Sequence, residues 1–117
     1  MNRTIEFNIT EKNIHWCLTY SIEENTGKII SDSCDKWENG KFLTVSKNTI
    51  PAKLYLIINP ILENGCIRGR KASDYFFATS DIADLPEEIK EKCSNINLAV
   101  SMYNNSVNIK YYMNLED

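Results

Sequence analysis

His15 and Cys17 are the first residues in the chain with chemical potential. His-x-Cys on an extended strand sets two metal-capable side chains on one sheet face, with Cys34 or Asp35 as further donors. A zinc site needs three or four ligands held tetrahedrally, and neither a second histidine nor a C-x-x-C spacing supplies them. The same pair is poorly placed for thiol catalysis. Side chains at i and i+2 of a strand run parallel, roughly 7 Å apart, beyond the reach of a base. A solvated or hydrogen-bonded histidine is therefore the reading. Cys66 lies near Arg68 and Arg70, which would lower its pKa, but a structural thiol is much the better reading. Asp32, Asp35, Glu38, Asp74, Asp81 and Asp84 fall in turn-like segments and show neither EF-hand order nor a paired-acid spacing. The sequence thus predicts no catalytic residue, no cofactor and no metal.

Surface recognition remains. Arg68-Gly69-Arg70-Lys71 holds two of the three arginines of a lysine-rich chain. Two planar guanidinium forks on one strand face suit carboxylates or phosphates, though a charged strand edge would also guard against aggregation. Tyr103 and Tyr112 fall on the polar face of the last predicted hairpin, where aromatic side chains mark contact surfaces. Arg68, Arg70, Lys71, Tyr103 and Tyr112 are the candidate partner-binding residues.

The elements that must position these residues are strands. Asn39-Gly40 and Asn64-Gly65 each follow a glutamate, and Asn-Gly favours the two positive φ values of a type I′ hairpin turn. Ile5, Phe7 and Ile9 alternate with polar residues, as do Ile14, Trp16, Leu18, Tyr20 and Ile22. Further strands are expected at 28–33, 41–46 and 66–70. The run Leu54 to Leu62 is apolar on both faces and reads as a strand that is central in a packed layer or covered by a loop, with its Pro60 end at an edge or a bulge. With Asn104-Asn105 as a two-residue loop, Met102 meets Val107, Val100 meets Ile109, Leu98 meets Tyr111 and Ile96 meets Met113. Pro86 to Cys93 reads as a short helix, with Glu87 and Glu88 at its positive end and Lys90 and Lys92 at its negative end. The expected fold is a single antiparallel β-sandwich over residues 1–117, with about eight or nine short strands and this one helix.

Composition limits the function classes. The chain has 117 residues, 43% hydrophobic and 25% charged, with net charge −3. That balance fits one globular domain and disfavours a nucleic-acid binder, which would be basic. The longest apolar stretch is far short of a membrane span, and Met1 to Glu6 does not resemble a signal peptide. A cytoplasmic protein with four reduced cysteines is expected, with a secreted form as the other reading. Abundant Asn, Ile and Lys beside scarce Arg suggest an AT-rich gene, as in a low-GC bacterium or its phage. The expected function is a non-enzymatic, protein-binding inhibitor, immunity or adaptor module, with a strand edge as a route to a homodimer. Two other classes remain in view. One is a secreted lectin-like or lipid-recognising sandwich using Trp37, Tyr103 and Tyr112. The other is an enzyme whose site forms only in the fold.

Overall fold

A computed structural model describes residues 2–23, 26, 28–63, 87–103 and 106–115. The alternation of the first two segments becomes β1 (Asn2–Glu11) and β2 (Ile14–Glu23), paired antiparallel with Thr10 opposite His15. Lys12, at φ 52°, turns the chain between them. Then follow β3 (Ile29–Glu38) and β4 (Lys41–Thr44). Their connection is the predicted Asn-Gly turn: Asn39 and Gly40 have φ of 53° and 74°, and Glu38 pairs with Lys41. A 3₁₀ turn (Lys47–Thr49) leads to α1 (Ala52–Glu63). Later in the chain come α2 (Glu87–Lys92), β5 (Cys93–Tyr103) and β6 (Ser106–Leu115).

The six strands form one open sheet in the order β4-β3-β2-β1-β6-β5. The expected sandwich is not found, and six strands rather than eight or nine occur among the described residues. Nor is the sheet wholly antiparallel: β1 and β6 run parallel, from Arg3 opposite Val107 to Thr10 opposite Asn114. The mostly β character and the short helix at 87–92 agree with expectation, while Pro86 lies outside the described residues.

Leu54 to Leu62 is the instructive departure. The segment is helical, not a strand, and Leu54, Ile57, Ile58 and Ile61 are all fully buried. Their spacing of 3, 1 and 3 marks one face of a helix, while Leu56 between them is 58% exposed. Pro60 lies within this helix and cannot donate to the Leu56 carbonyl. It is only half-buried, on the side of the helix where water can serve that carbonyl instead. The second Asn-Gly pair consequently follows a helix end, and residues 64–86, including the expected strand at 66–70, lie outside the described residues.

The helical face supplies what a second sheet would have supplied. Leu54, Ile57, Ile58, Ile61 and Leu62 join Ile89 of α2 in a core with one face of the sheet. That sheet face is the predicted alternation: Ile5, Phe7 and Ile9 of β1, Trp16 to Ile22 at every second residue of β2, and Val107, Ile109, Tyr111 and Met113 of β6. Phe7 lies at its centre, stacked on Tyr111 at 5.2 Å and edge-on to Tyr20 at 5.9 Å. Glu11 also faces this side and is buried, where Lys53 of α1 reaches it in a salt bridge. Tyr20 has its phenol pushed up to about 12, first by burial and then by Tyr55 and Asp32.

The last hairpin has the predicted register at Met102–Val107, Val100–Ile109 and Leu98–Tyr111. It departs at Ile96. Ser94 pairs with Asn114 and Asn97 with Tyr112, so Asn95 and Ile96 together face Met113 as a bulge, with Asn95 at φ 53°.

Candidate functional site

The sheet face opposite the core has no covering layer among the described elements, and the strand registers determine which residues share it. Across one rung, Trp37 lies beside His15, then Thr10, then Asn114. On the next rung Asp35, Cys17, Asn8, Tyr112 and Asn97 are neighbours, and below it come Ser33, Thr19, Glu6, Lys110 and Ala99. The polar members of the alternation have thus been gathered into one surface.

Its centre is a directed hydrogen-bond chain. Asn8 donates its Nδ2 to Glu6 Oε2 at 2.8 Å. Asn8 Oδ1 can then only accept, so the His15 Nε2–H donates to it at 3.2 Å. In neutral imidazole the other nitrogen, Nδ1, accepts from the Thr10 hydroxyl at 3.3 Å. Lys110 Nζ stands 4.0 Å from Glu6 Oε2 at the far end. This chain orients His15 and occupies both its ring nitrogens; of the two sequence readings, solvated or hydrogen-bonded, the structure has the second. A shallow depression of about 270 Å³ opens beside it, lined by Thr4, Glu6, Ser101, Asn108, Ile109 and Lys110.

Cys17 adjoins this network but is not activated by it. Its thiol is pushed up, chiefly by burial and then by the Glu6 carboxylate, with Asp35 adding to the effect and a hydrogen bond to Thr19 opposing it. A raised pKa leaves little thiolate at neutral pH, the reverse of what a nucleophile requires. Cys34, on the core side, is pushed up to about 11, first by burial and then by Asp35 and Cys17. Cys17 and Cys34 are free thiols. Among the described residues no three His, Cys, Asp or Glu side chains converge to hold a metal ion. Among the same residues, no helix is long and apolar enough to cross a membrane.

The β3–β4 end of the face differs in character. Trp37 and Phe42 are cross-strand partners with ring centroids 6.2 Å apart, and they are 47% and 59% exposed. The pair follows from the Asn39-Gly40 turn, because a two-residue loop that pairs Glu38 with Lys41 must also pair Trp37 with Phe42. Sequence reasoning noted Trp37 but missed Phe42, although the turn register contained the signal. Of the predicted contact residues, Tyr112 lies on the open face, 42% exposed, between Asn8 and Asn97. Tyr103 closes β5 opposite Ser106. Arg68, Arg70 and Lys71 lie outside the described residues.

The site and fold together describe an open mixed sheet, covered by helices on one face and presenting polar and aromatic residues on the other. No family model matches the chain, and comparison with curated proteins and with solved structures returns no match.

Proposed function

We propose that this chain is a non-enzymatic binding module that engages a protein partner through the open face of its sheet, as a small inhibitor, immunity or adaptor protein would. The observation that carries the reading is the Trp37–Phe42 pair. Two large rings, about half exposed and in mutual contact, stand on a sheet face with no helix over them among the described residues. Large aromatics with exposed faces are the usual anchors of protein interfaces. Burying the accessible part of both rings would remove roughly 200 Å² of apolar surface, worth about 5 kcal/mol before the costs of association. The hydrogen-bonding groups around His15, Asn8 and Glu6 would then supply orientation rather than bulk affinity.

The test is capture of partners from a lysate of the source organism with the wild-type chain, beside Trp37→Ala and Phe42→Ala variants of unchanged melting temperature. The reading expects a partner whose affinity falls about 10-fold to 100-fold with either variant. A partner bound equally well by both variants would remove the aromatic pair from the interface.

A carbohydrate ligand is the second reading. It is favoured by Tyr112, exposed among Asn8, Asn97 and Lys110, which combines a stacking ring with amide donors and acceptors. Glycan binding lost in Tyr112→Ala, with Trp37→Ala unaffected, would select it.

A further inference from the structure

We infer that β5 pairs with β5 of a second copy of this chain, about a two-fold axis at Val100, and joins the two sheets edge to edge. Of the six strands among the described residues, β5 is the only one with no charged residue: Cys-Ser-Asn-Ile-Asn-Leu-Ala-Val-Ser-Met-Tyr. Among the described residues it is also an edge strand, and it is among the longest. Natural sheets protect such edges with lysines, prolines or strong bulges. The other edge shows the contrast, since β4 has only four residues and begins with Lys41. On β5 the bulge at Asn95 and Ile96 disturbs only one end and leaves Asn97 to Tyr103 in regular register with β6.

The pairing geometry selects one arrangement. Tyr103 and Ser106 pair across two intervening residues, so they form the hydrogen-bonded pair that closes the hairpin. Antiparallel alternation then directs the backbone groups of Ser101, Ala99 and Asn97 toward β6. Leu98, Val100 and Met102 turn their N–H and C=O groups outward, to the open edge. A second copy running antiparallel meets these groups when Val100 lies opposite Val100 of the second copy. Leu98 then falls opposite Met102 of the second copy, and Met102 opposite its Leu98.

Side-chain chemistry agrees with this register. Leu98, Val100 and Met102 lie on the core side of the sheet, and the half-buried Leu98 and Val100 already pack against the core. Met102 is 48% exposed in the single chain, and pairing would bring Leu98 of the second copy alongside it. On the open face, the exposed Ala99 falls opposite the exposed Ser101 of the second copy, two small residues that let the backbones approach. No like charges meet at any position, so the strand is complementary to itself. Because one strand pair buries less than a standard interface, the dimer should be reversible and concentration-dependent.

The experiment is sedimentation of the full chain across a wide concentration range, with two variants. Ser101→Lys changes an exposed residue beside the axis and brings like charges together in the dimer. Val100→Pro removes an outward N–H while leaving the bonds of Ala99 and Ser101 to β6 in place. The wild type should approach twice the 13.5 kDa mass of one chain at high concentration. Both variants should remain monomeric, with Ser101→Lys melting as the wild-type monomer does. A wild-type chain that is monomeric throughout would overturn the inference. So would a dimer that persists in Ser101→Lys, which would place the contact elsewhere.

Discussion

Truncating the apolar run of α1 one residue at a time should give a stability pattern that only a helix can produce. In a strand, Leu54, Leu56 and Ile58 would share one face and Ile57 the other. In the observed helix, Leu54, Ile57, Ile58 and Ile61 are fully buried and Leu56 is 58% exposed. Ile→Ala removes three carbons from a site with no solvent contact. At about 0.8 kcal/mol per buried carbon the transfer loss alone is about 2.4 kcal/mol. The cavity left behind raises the expected range to about 2–5 kcal/mol for Ile57, Ile58 or Ile61. Leu56→Ala should cost about 0.5 kcal/mol or less. Urea denaturation followed by far-UV circular dichroism reads these differences directly. A loss of about 3 kcal/mol moves the midpoint by about 1–2 M for a chain of this size. Should an alanine variant be too unstable to measure, Ile→Val at the same sites should cost about 0.5–1.5 kcal/mol and preserve the ranking. Leu56→Ala costing as much as Ile57→Ala would refute the helical assignment and the covering of the sheet that depends on it.

Three further outcomes follow from particular contacts. Lys53→Met should destabilise by about 1–2 kcal/mol, less than a fully enclosed pair because Lys53 keeps 48% of its side chain exposed, and adding Glu11→Gln should recover part of the loss in a double-mutant denaturation cycle. Alkaline pH should lower stability. Folding raises the Cys34 thiol from 9.0 to about 11, so between those values the unfolded chain releases a proton that the folded chain keeps, and melting temperature should fall through that window but less steeply in Cys34→Ala. Acrylamide should quench two distinct tryptophan populations, since Trp37 is 47% exposed and Trp16 only 3%, and Trp37→Phe should leave only the protected one.

The parts of the fold legible in the sequence were those specified locally. Asn39-Gly40 encoded a turn through the φ preferences of two residues, and the alternation of Ile5 to Ile9 and Ile14 to Ile22 encoded one buried face. The hairpin of β5 and β6 was legible because a single register matched every apolar pair from Leu98 to Met102. Leu54 to Leu62 was not, because eight apolar residues in a run of nine, broken only by Asn59, satisfy periods of 2 and 3.6 almost equally. What decided the outcome was non-local: a sheet with one apolar face needs a cover, and a helix burying four consecutive-turn residues provides it. The parallel seam between β1 and β6 was beyond local reading for the same reason, since it joins the first strand to the last. At the candidate site, the sequence left His15 as solvated or hydrogen-bonded, and the choice between them depended on the Lys12 turn that sets Thr10 opposite it. Phe42 looked like an ordinary apolar residue of a short strand until pairing placed it beside Trp37.

The open face underlies the proposed interface, and cysteine accessibility tests it most directly. In a chain with its four native cysteines replaced by serine or alanine, single cysteines at Ser31, Ser33, Lys110 and Asn114 sample exposed positions on β3 and β6 of that face. Phe7→Cys, on the buried face, is the internal control. Under native conditions a maleimide reagent should modify the four surface positions as fast as it does the unfolded chain, while Phe7→Cys reacts only on unfolding. Protection of Ser33→Cys and Lys110→Cys until unfolding would mean that a second layer covers this face, contradicting the open sheet.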